Sequence, residues 1–182
     1  KVWPWWNLWE TEARFKSGDK EGGYTLLSLA AKTIEDEKYP GLIEETLDTD
    51  GTSIGGNVFV TAAGNILEVI VKDLIGVECL QAGWKEIKVV PAVPADWDNY
   101  ECRIPTPNGN IEVVCENYKL TVKVNDEGIK TVQVSDINNV EVIGANKKQY
   151  VAPKQPERIY NAVKKSIVSP IKLGKTALFY DK

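Results

Sequence analysis

Apolar residues recur every three or four positions through the first third of the chain and every second position after Gly76, so the sequence reads as helices followed by strands. In "WPWWNLWETEARF", Pro4 suits a first helical turn, Trp5, Leu8, Trp9, Glu12 and Phe15 fall at helical spacing, and Gly18 lies just past the end. That pattern predicts a helix of about 12 residues. "GYTLLSLAAKTIEDE" repeats it with Leu26, Leu27, Ala30 and Ile34, and stops before Tyr39-Pro40-Gly41. "NVFVTAAGNILEVIVKDLIGV" predicts a third helix, with a broad apolar face of Ile66, Leu67, Ile70, Val71 and Leu74, ended by Gly76. Ala62, Ala63 and Gly64 give its inner surface small residues, which admit another backbone or a ligand at close range.

Beyond Gly76, "KEIKVVPAVP", "YECRIP", "NIEVVCE", "YKLTVKV" and "KTVQVSDINNVEVIG" are short β-rich runs separated by Pro, Asn and Gly, which predicts an antiparallel β-sandwich with strands from about Lys85 to Val142. Alternation sets Cys102 and Ile104 on one face of their strand, and Ile111, Val113 and Cys115 on one face of the next. Pro107 lacks an N–H for a last ladder bond, so "PNGN" reads as a four-residue loop. That register sets Cys102 opposite Cys115, with Cα atoms roughly 4.5 to 5.5 Å apart. The pair is then either two reduced, buried thiols or a disulfide, and Cys79 is left over.

Composition removes whole classes of chemistry. The 182 residues allow one domain, or one plus a fragment, with a real core. There is no histidine, which excludes Ser-His and Cys-His nucleophile pairs and imidazole bases, and three cysteines without CxxC spacing argue against a zinc site. A calcium reading of "DTDG" is weaker than the others, because the EF-hand-like spacing stops after Gly51 and no terminal Glu follows at the required offset. No metal or other cofactor is expected, and any chemistry falls to carboxylates. A net charge of -4 and pI near 5.1 offer no basic stripe for nucleic acid, and no apolar run is long enough to span a bilayer. The chain opens without Met and enters Trp-rich sequence at once, which reads as a piece of a longer polypeptide.

The domain reading is an α+β chain: a helical segment at 1–78, a β-sandwich at 79–150 and an extended arm at 151–182, where Pro153, Pro156 and Pro170 interrupt scattered lysines. Within the arm, "IYNAVKKSIV" fits either a short helix or an edge strand.

Several segments together resemble the C-terminal part of the six-hairpin, (α/α)6-barrel glycosidases, the group containing α-L-rhamnosidases, glucoamylases and disaccharide phosphorylases. They are "WPWWNLWETEARFKSGD", "YPGLIEETLDTDGT", "FVTAAGNILEVIVKDLIGV", "GWKEIKVVPAVPADWDN" and "IPTPNGNIEVVCE", over roughly residues 1 to 125. Gly83, Trp84, Ile87, Val89 and Pro91 fit the strand that opens the sandwich in these families. The hairpin Thr106 to Ile111 looks most like the rhamnosidase type, whereas Pro91, Pro94 and Trp97 look more like fucosidase and phosphorylase types. The resemblance implies a carbohydrate substrate and a partner for the three helices, either the remaining barrel or other copies of the chain.

It also implies a role for the acidic loop. Glycoside hydrolysis needs two carboxyl groups flanking the scissile bond, and these families place a late one, often the general base, after the penultimate helix pair. Glu45 resembles it best, since "ETLD" echoes the "E-Q-x-D" of glucoamylase-type loops without its glutamine, and Glu44 is next. Trp5, Trp6 and Trp9 are the candidates to stack on sugar, with Trp3 beside them. The plainer readings are a solvated turn built by Asp48, Asp50 and Gly51, and an aromatic stripe that is core. A different class, a carbohydrate-binding or structural β module without catalysis, expects exposed Trp84, Trp97 and Tyr100 instead.

Overall fold

The computed structural model describes residues 2–32, 34, 43–49, 53–55, 59–152, 172–173 and 176–177. The chain divides into two compact units, Lys1–Tyr150 and Val151–Lys182. Among the described residues the first unit holds three α-helices and two four-stranded sheets, a mixed α+β architecture. In the second, β11 (Lys172–Leu173) pairs antiparallel with β12 (Thr176–Ala177). The segment "IYNAVKKSIV" lies outside the described residues.

α1 spans Pro4–Ser17 and ends on Gly18, whose φ of 87° allows its N–H to cap the carbonyls of Arg14 and Phe15. It buries Pro4, Leu8, Thr11 and Phe15, a stripe rotated away from the one expected, so that Trp9 faces outward with Trp6. α2 spans Lys20–Lys32 and buries Gly23, Leu27 and Ala30. α3 spans Val60–Glu68 and widens into a π-helical turn at Val69–Leu74, marked by the bond from Ile75 N–H to Ile70 O at 2.9 Å. Its buried stripe is Ala62, Ile66, Val69 and Asp73, while Leu67 is exposed. Gly64, expected on the inner surface, instead faces open space. The chain then turns at Gly76 (φ 76°), where an added Cβ would lie 2.0 Å from Val90 O, so no other residue fits this close approach.

Eight strands follow in unit one: β3 (Val77–Cys79), β4 (Glu86–Val89), β5 (Asn99–Thr106), β6 (Gly109–Glu116), β7 (Lys119–Val124), β8 (Thr131–Val134), β9 (Val140–Ile143) and β10 (Asn146–Gln149). The sheets run β10-β8-β4-β3 and β5-β6-β7-β9. The expectation of a purely antiparallel arrangement is corrected, because β4 and β10 both lie parallel to β8, and β9 lies parallel to β7. The connections cause this. From β7 onward each short link carries the chain to the other sheet and turns it round, and two reversals restore its direction. Both sheets feed one apolar cluster, with Ile87, Val89, Val132 and Val134 from one and Ile111, Val113, Val122 and Val140 from the other. Each such side chain, fully buried, contributes about 1.5–3 kcal/mol relative to exposure.

The β5–β6 hairpin keeps the predicted faces but not the predicted register. Thr106 pairs with Gly109, so Pro107 and Asn108 form a two-residue loop, Cys102 faces Val113 and Cys115 faces Tyr100. Pro107 sits at the second position of the turn, where its fixed φ is an advantage and no ladder N–H is required. Asp126 clamps this turn, its Oδ2 accepting from Thr106 Oγ1 (2.6 Å) and Asn108 N–H (3.1 Å), its Oδ1 from Gly128 N–H (2.7 Å). With Cys102 and Cys115 diagonal, roughly 7–8 Å apart, a disulfide would need the backbone to move. All three cysteines are free thiols, and burial pushes that of Cys102 up.

A second apolar cluster belongs to the helices, with Leu8, Phe15, Leu27, Ala62, Ile66 and Val69 at its centre. Ile70 packs against both clusters. The segment after β4 returns across the helices: Ala92 N–H donates to Leu74 O (2.9 Å), and the Trp97 ring meets Tyr24 edge-on at 5.1 Å.

Candidate functional site

The acidic segment is held between the starting ends of two helices. Val2, just before α1, exchanges both backbone hydrogen bonds with Leu47 (2.7 and 2.8 Å), and Phe59, just before α3, donates its N–H to Ile43 O (2.8 Å). Ile43, the neighbour of Glu44, is thereby tied to Phe59, whose ring lies 5.9 Å from that of Trp5. β1 (Thr46–Leu47) then pairs with β2 (Ser53–Gly55), and Thr46 Oγ1 donates to Gly55 O (3.1 Å). Asp48 Oδ1 accepts from Thr49 N–H at 2.7 Å, the ordinary work of a turn residue. Asp50 and Gly51, the other expected turn formers, lie outside the described residues.

The two glutamates differ in surroundings. Glu45 is half-buried. Glu44 is only 6% exposed, and neither of its carboxylate oxygens has a hydrogen-bond partner among the described residues. Neither α1 nor α3 has a side-chain cap or an acidic residue in its first turn. The positive ends of both helix dipoles are therefore left without a counter-charge of their own, next to a segment that carries two glutamates.

The tryptophans gather on the same end of α1. Trp5 lies 5.0 Å from Trp6, 4.7 Å from Trp9, 6.1 Å from Trp3 and 5.9 Å from Phe59, ring centre to ring centre. Trp5 is the half-buried centre of the cluster, and its Nε1 is buried without an acceptor. Trp6 and Trp9 are 54% and 48% exposed and meet at 64°. They form no flat platform, so a sugar ring stacked on one would meet the edge of the other. The structure thus brings an unpartnered donor on Trp5 into the same region as the unpartnered acceptors on Glu44.

Of the aromatics expected on the strands, Trp84, Trp97 and Tyr100 are all half-buried in packing rather than displayed. Burial, followed by the neighbouring Cys115 thiol, pushes the Tyr100 phenol above its ordinary range. Among the described residues no group of three or more Cys, Asp or Glu is placed to hold a metal ion, and no helix is long and apolar enough to cross a membrane.

One titratable group escaped the sequence reading. Asp73, on the π-turn, is buried with Oδ2 unpartnered, and its carboxyl is pushed up to about 6, first by burial and then by the charge of Glu12, against the pull of Lys16 and Lys72. Burial also works to raise Glu12, but there Lys16 and Lys72 win and its carboxyl falls below the ordinary range. Glu12 bonds Lys16 and lies 3.6 Å from Lys72, which in turn reaches Glu68 at 3.3 Å, so this network ties α1 to α3. The signal was present in the sequence, since Asp73 follows Ile66 by seven positions and Val69 by four, on the buried stripe.

Comparison of the chain with protein families, with curated proteins and with solved structures finds no match.

Proposed function

We propose that this chain is the C-terminal part of a carbohydrate-active enzyme that hydrolyses glycosidic bonds by carboxylate acid–base catalysis, most like the α-L-rhamnosidase type. The observation that carries the reading is the buried, unpartnered carboxylate of Glu44, next to Ile43, which bonds the Phe59 that packs on Trp5. A sugar hydroxyl both donates and accepts, so it would satisfy Glu44 and the Trp5 N–H, while its C–H face suits the exposed rings of Trp6 and Trp9. Glu44 or Glu45 supplies the general base, and the partner acid comes from outside this chain.

In this proposal the three helices are wall segments of an (α/α)6 barrel, followed by its sandwich. Their outward faces support it: Leu29 on α2, and Val60 and Leu67 on α3, are large, apolar and exposed. The remaining barrel, or a second copy of the chain, would cover them. The alternative of a carbohydrate-binding β module without catalysis gains no support from Trp84, Trp97 and Tyr100, which are engaged in packing.

The test is hydrolysis of aryl glycosides by the assembled enzyme bearing Glu44→Gln or Glu45→Gln. One of the two should reduce turnover by at least about 10²-fold while substrate binding persists. If both variants stay within a few-fold of normal, the segment is only a turn.

A further inference from the structure

The hairpin joining β6 to β7 is closed by Asn117 and Tyr118 alone, because Glu116 pairs with Lys119. Both residues have positive φ, 49° and 63°, so the turn is the primed kind that suits a twisted hairpin and favours Asn followed by Gly. Tyrosine in the second place holds a left-handed backbone that a side chain disfavours, and 67% of it is exposed. The turn is also pinned from behind. Tyr118 N–H donates to Asp98 O (3.1 Å) and Asn117 N–H to Asn99 Oδ1 (3.2 Å). A ring held at a strained position with so little packing implies a use outside the fold.

Beside the turn lies a depression of about 450 Å³, lined by Tyr118, Asn138, Glu141 and Lys147 among others. A second depression of the same volume adjoins it, sharing Asn117 and Lys119 and lined further by Glu116, Thr121 and Lys123. Most of the charge there is already engaged. Lys119 pairs with Glu141 at 3.2 Å, and Lys147 Nζ donates to the carbonyls of Ile137 (2.7 Å) and Val140 (2.9 Å). What remains without a partner among the described residues is the hydroxyls of Tyr118 and Thr121, the carboxamides of Asn117 and Asn138, and the carboxylate of Glu116, a negative charge that would repel an anionic ligand. An aromatic face flanked by carboxamides recognises a hydroxylated ring without charge, and two adjoining depressions suit more than one such ring.

We propose that the β6–β7 turn and the two depressions beside it bind a neutral oligosaccharide, with Tyr118 stacked on one ring and Asn117 and Asn138 hydrogen-bonding to its hydroxyls. The site shares no residue with the Glu44 segment, and it stands or falls independently of glycoside hydrolysis there. The test is a ¹H–¹⁵N NMR titration of the whole chain with maltohexaose, cellohexaose and xylohexaose, and with hexagalacturonate as the charged comparison. At least one neutral hexasaccharide should shift the amides of Asn117, Tyr118 and Asn138 saturably, and hexagalacturonate should bind more weakly. Tyr118→Gly should raise the melting temperature by roughly 2–4 °C by relieving the turn, yet weaken saccharide binding roughly fivefold or more. Asn138→Ala should weaken binding with the melting temperature unchanged. The proposal is overturned if no neutral hexasaccharide moves these amides, if hexagalacturonate binds as tightly, or if Tyr118→Gly binds as well as the unmodified chain.

Discussion

Asp73→Asn removes a charge that the fold holds at a cost, and should therefore stabilise the protein. The Asp73 carboxyl titrates at about 6 in the folded chain against a model-peptide value of 3.8. A group raised in this way binds its proton more tightly when folded, so its favourable contribution is complete below about 3.8 and is lost as the pH rises through about 6. At pH 8 the buried carboxylate is ionised and works against the fold. A shift of roughly two units corresponds to about 3 kcal/mol, and screening by water around this partly solvated group reduces it to about 1.5 kcal/mol. Asparagine keeps the shape of the protonated acid and cannot ionise. Urea unfolding at pH 8 should therefore find the variant more stable by about 1.5 kcal/mol, and at pH 4 the two proteins should nearly coincide. A variant that is less stable at pH 8, or that differs from the unmodified protein equally at both pH values, would refute the reasoning.

Two further expectations concern the β5–β6 hairpin. The Thr106 hydroxyl bond, helped by the amides of Gly128 and Asn108, holds the Asp126 carboxyl below its ordinary range. Its stabilising effect is present above the unfolded value of 3.8 and lost as the pH falls through the folded one, so Asp126→Asn should lower the melting temperature at pH 7, and the difference should shrink only as the pH is taken below 3.8. The three cysteines should titrate as three thiols in denaturant under non-reducing conditions, and dithiothreitol should leave the melting temperature unchanged. Recovery of only one thiol would show a Cys102–Cys115 bridge and restore the rejected register.

That register shows how far alternation carries. It fixes which residues share a face, and Ile104, Ile111, Val113 and Cys115 are indeed buried together. A slip of two residues leaves every face unchanged, so the pattern is blind to it. What decides is Pro107 as a turn residue, the Asp126 clamp and Gly109, where an added Cβ would lie 1.9 Å from Asn125 O. The parallel pairings were hidden for a related reason. β8 and β9 share one β-rich run, and alternation carries no sign that the chain changes sheets between them. The helices were legible where caps were explicit, as with Pro4 and Gly18, but the rotation of α1 was not. Four tryptophans among the first nine residues make almost any stripe look apolar, and Thr11, whose hydroxyl donates to Asn7 O at 2.8 Å, takes an inner position that polarity alone assigns to the surface. At the candidate site, the residue types and their gathering in one segment were readable. The burial of Glu44 against the half-exposure of Glu45 depends on the contacts with Val2 and Phe59, which lie far away in sequence.

The most direct test of the Glu44 site is the indole N–H resonance of Trp5 in a ¹H–¹⁵N spectrum, followed during titration with methyl α-L-rhamnoside, methyl α-L-fucoside and methyl α-D-glucoside. The six tryptophans give six such signals, and that of Trp5 is assigned by its loss in Trp5→Phe. If the buried Trp5 donor and the Glu44 acceptors meet a sugar hydroxyl, the Trp5 signal moves saturably with at least one glycoside, and the shift is lost or much reduced in Glu44→Gln. A Trp5 N–H that none of the three glycosides moves, or that moves equally in Glu44→Gln, contradicts a sugar site at this end of the helices.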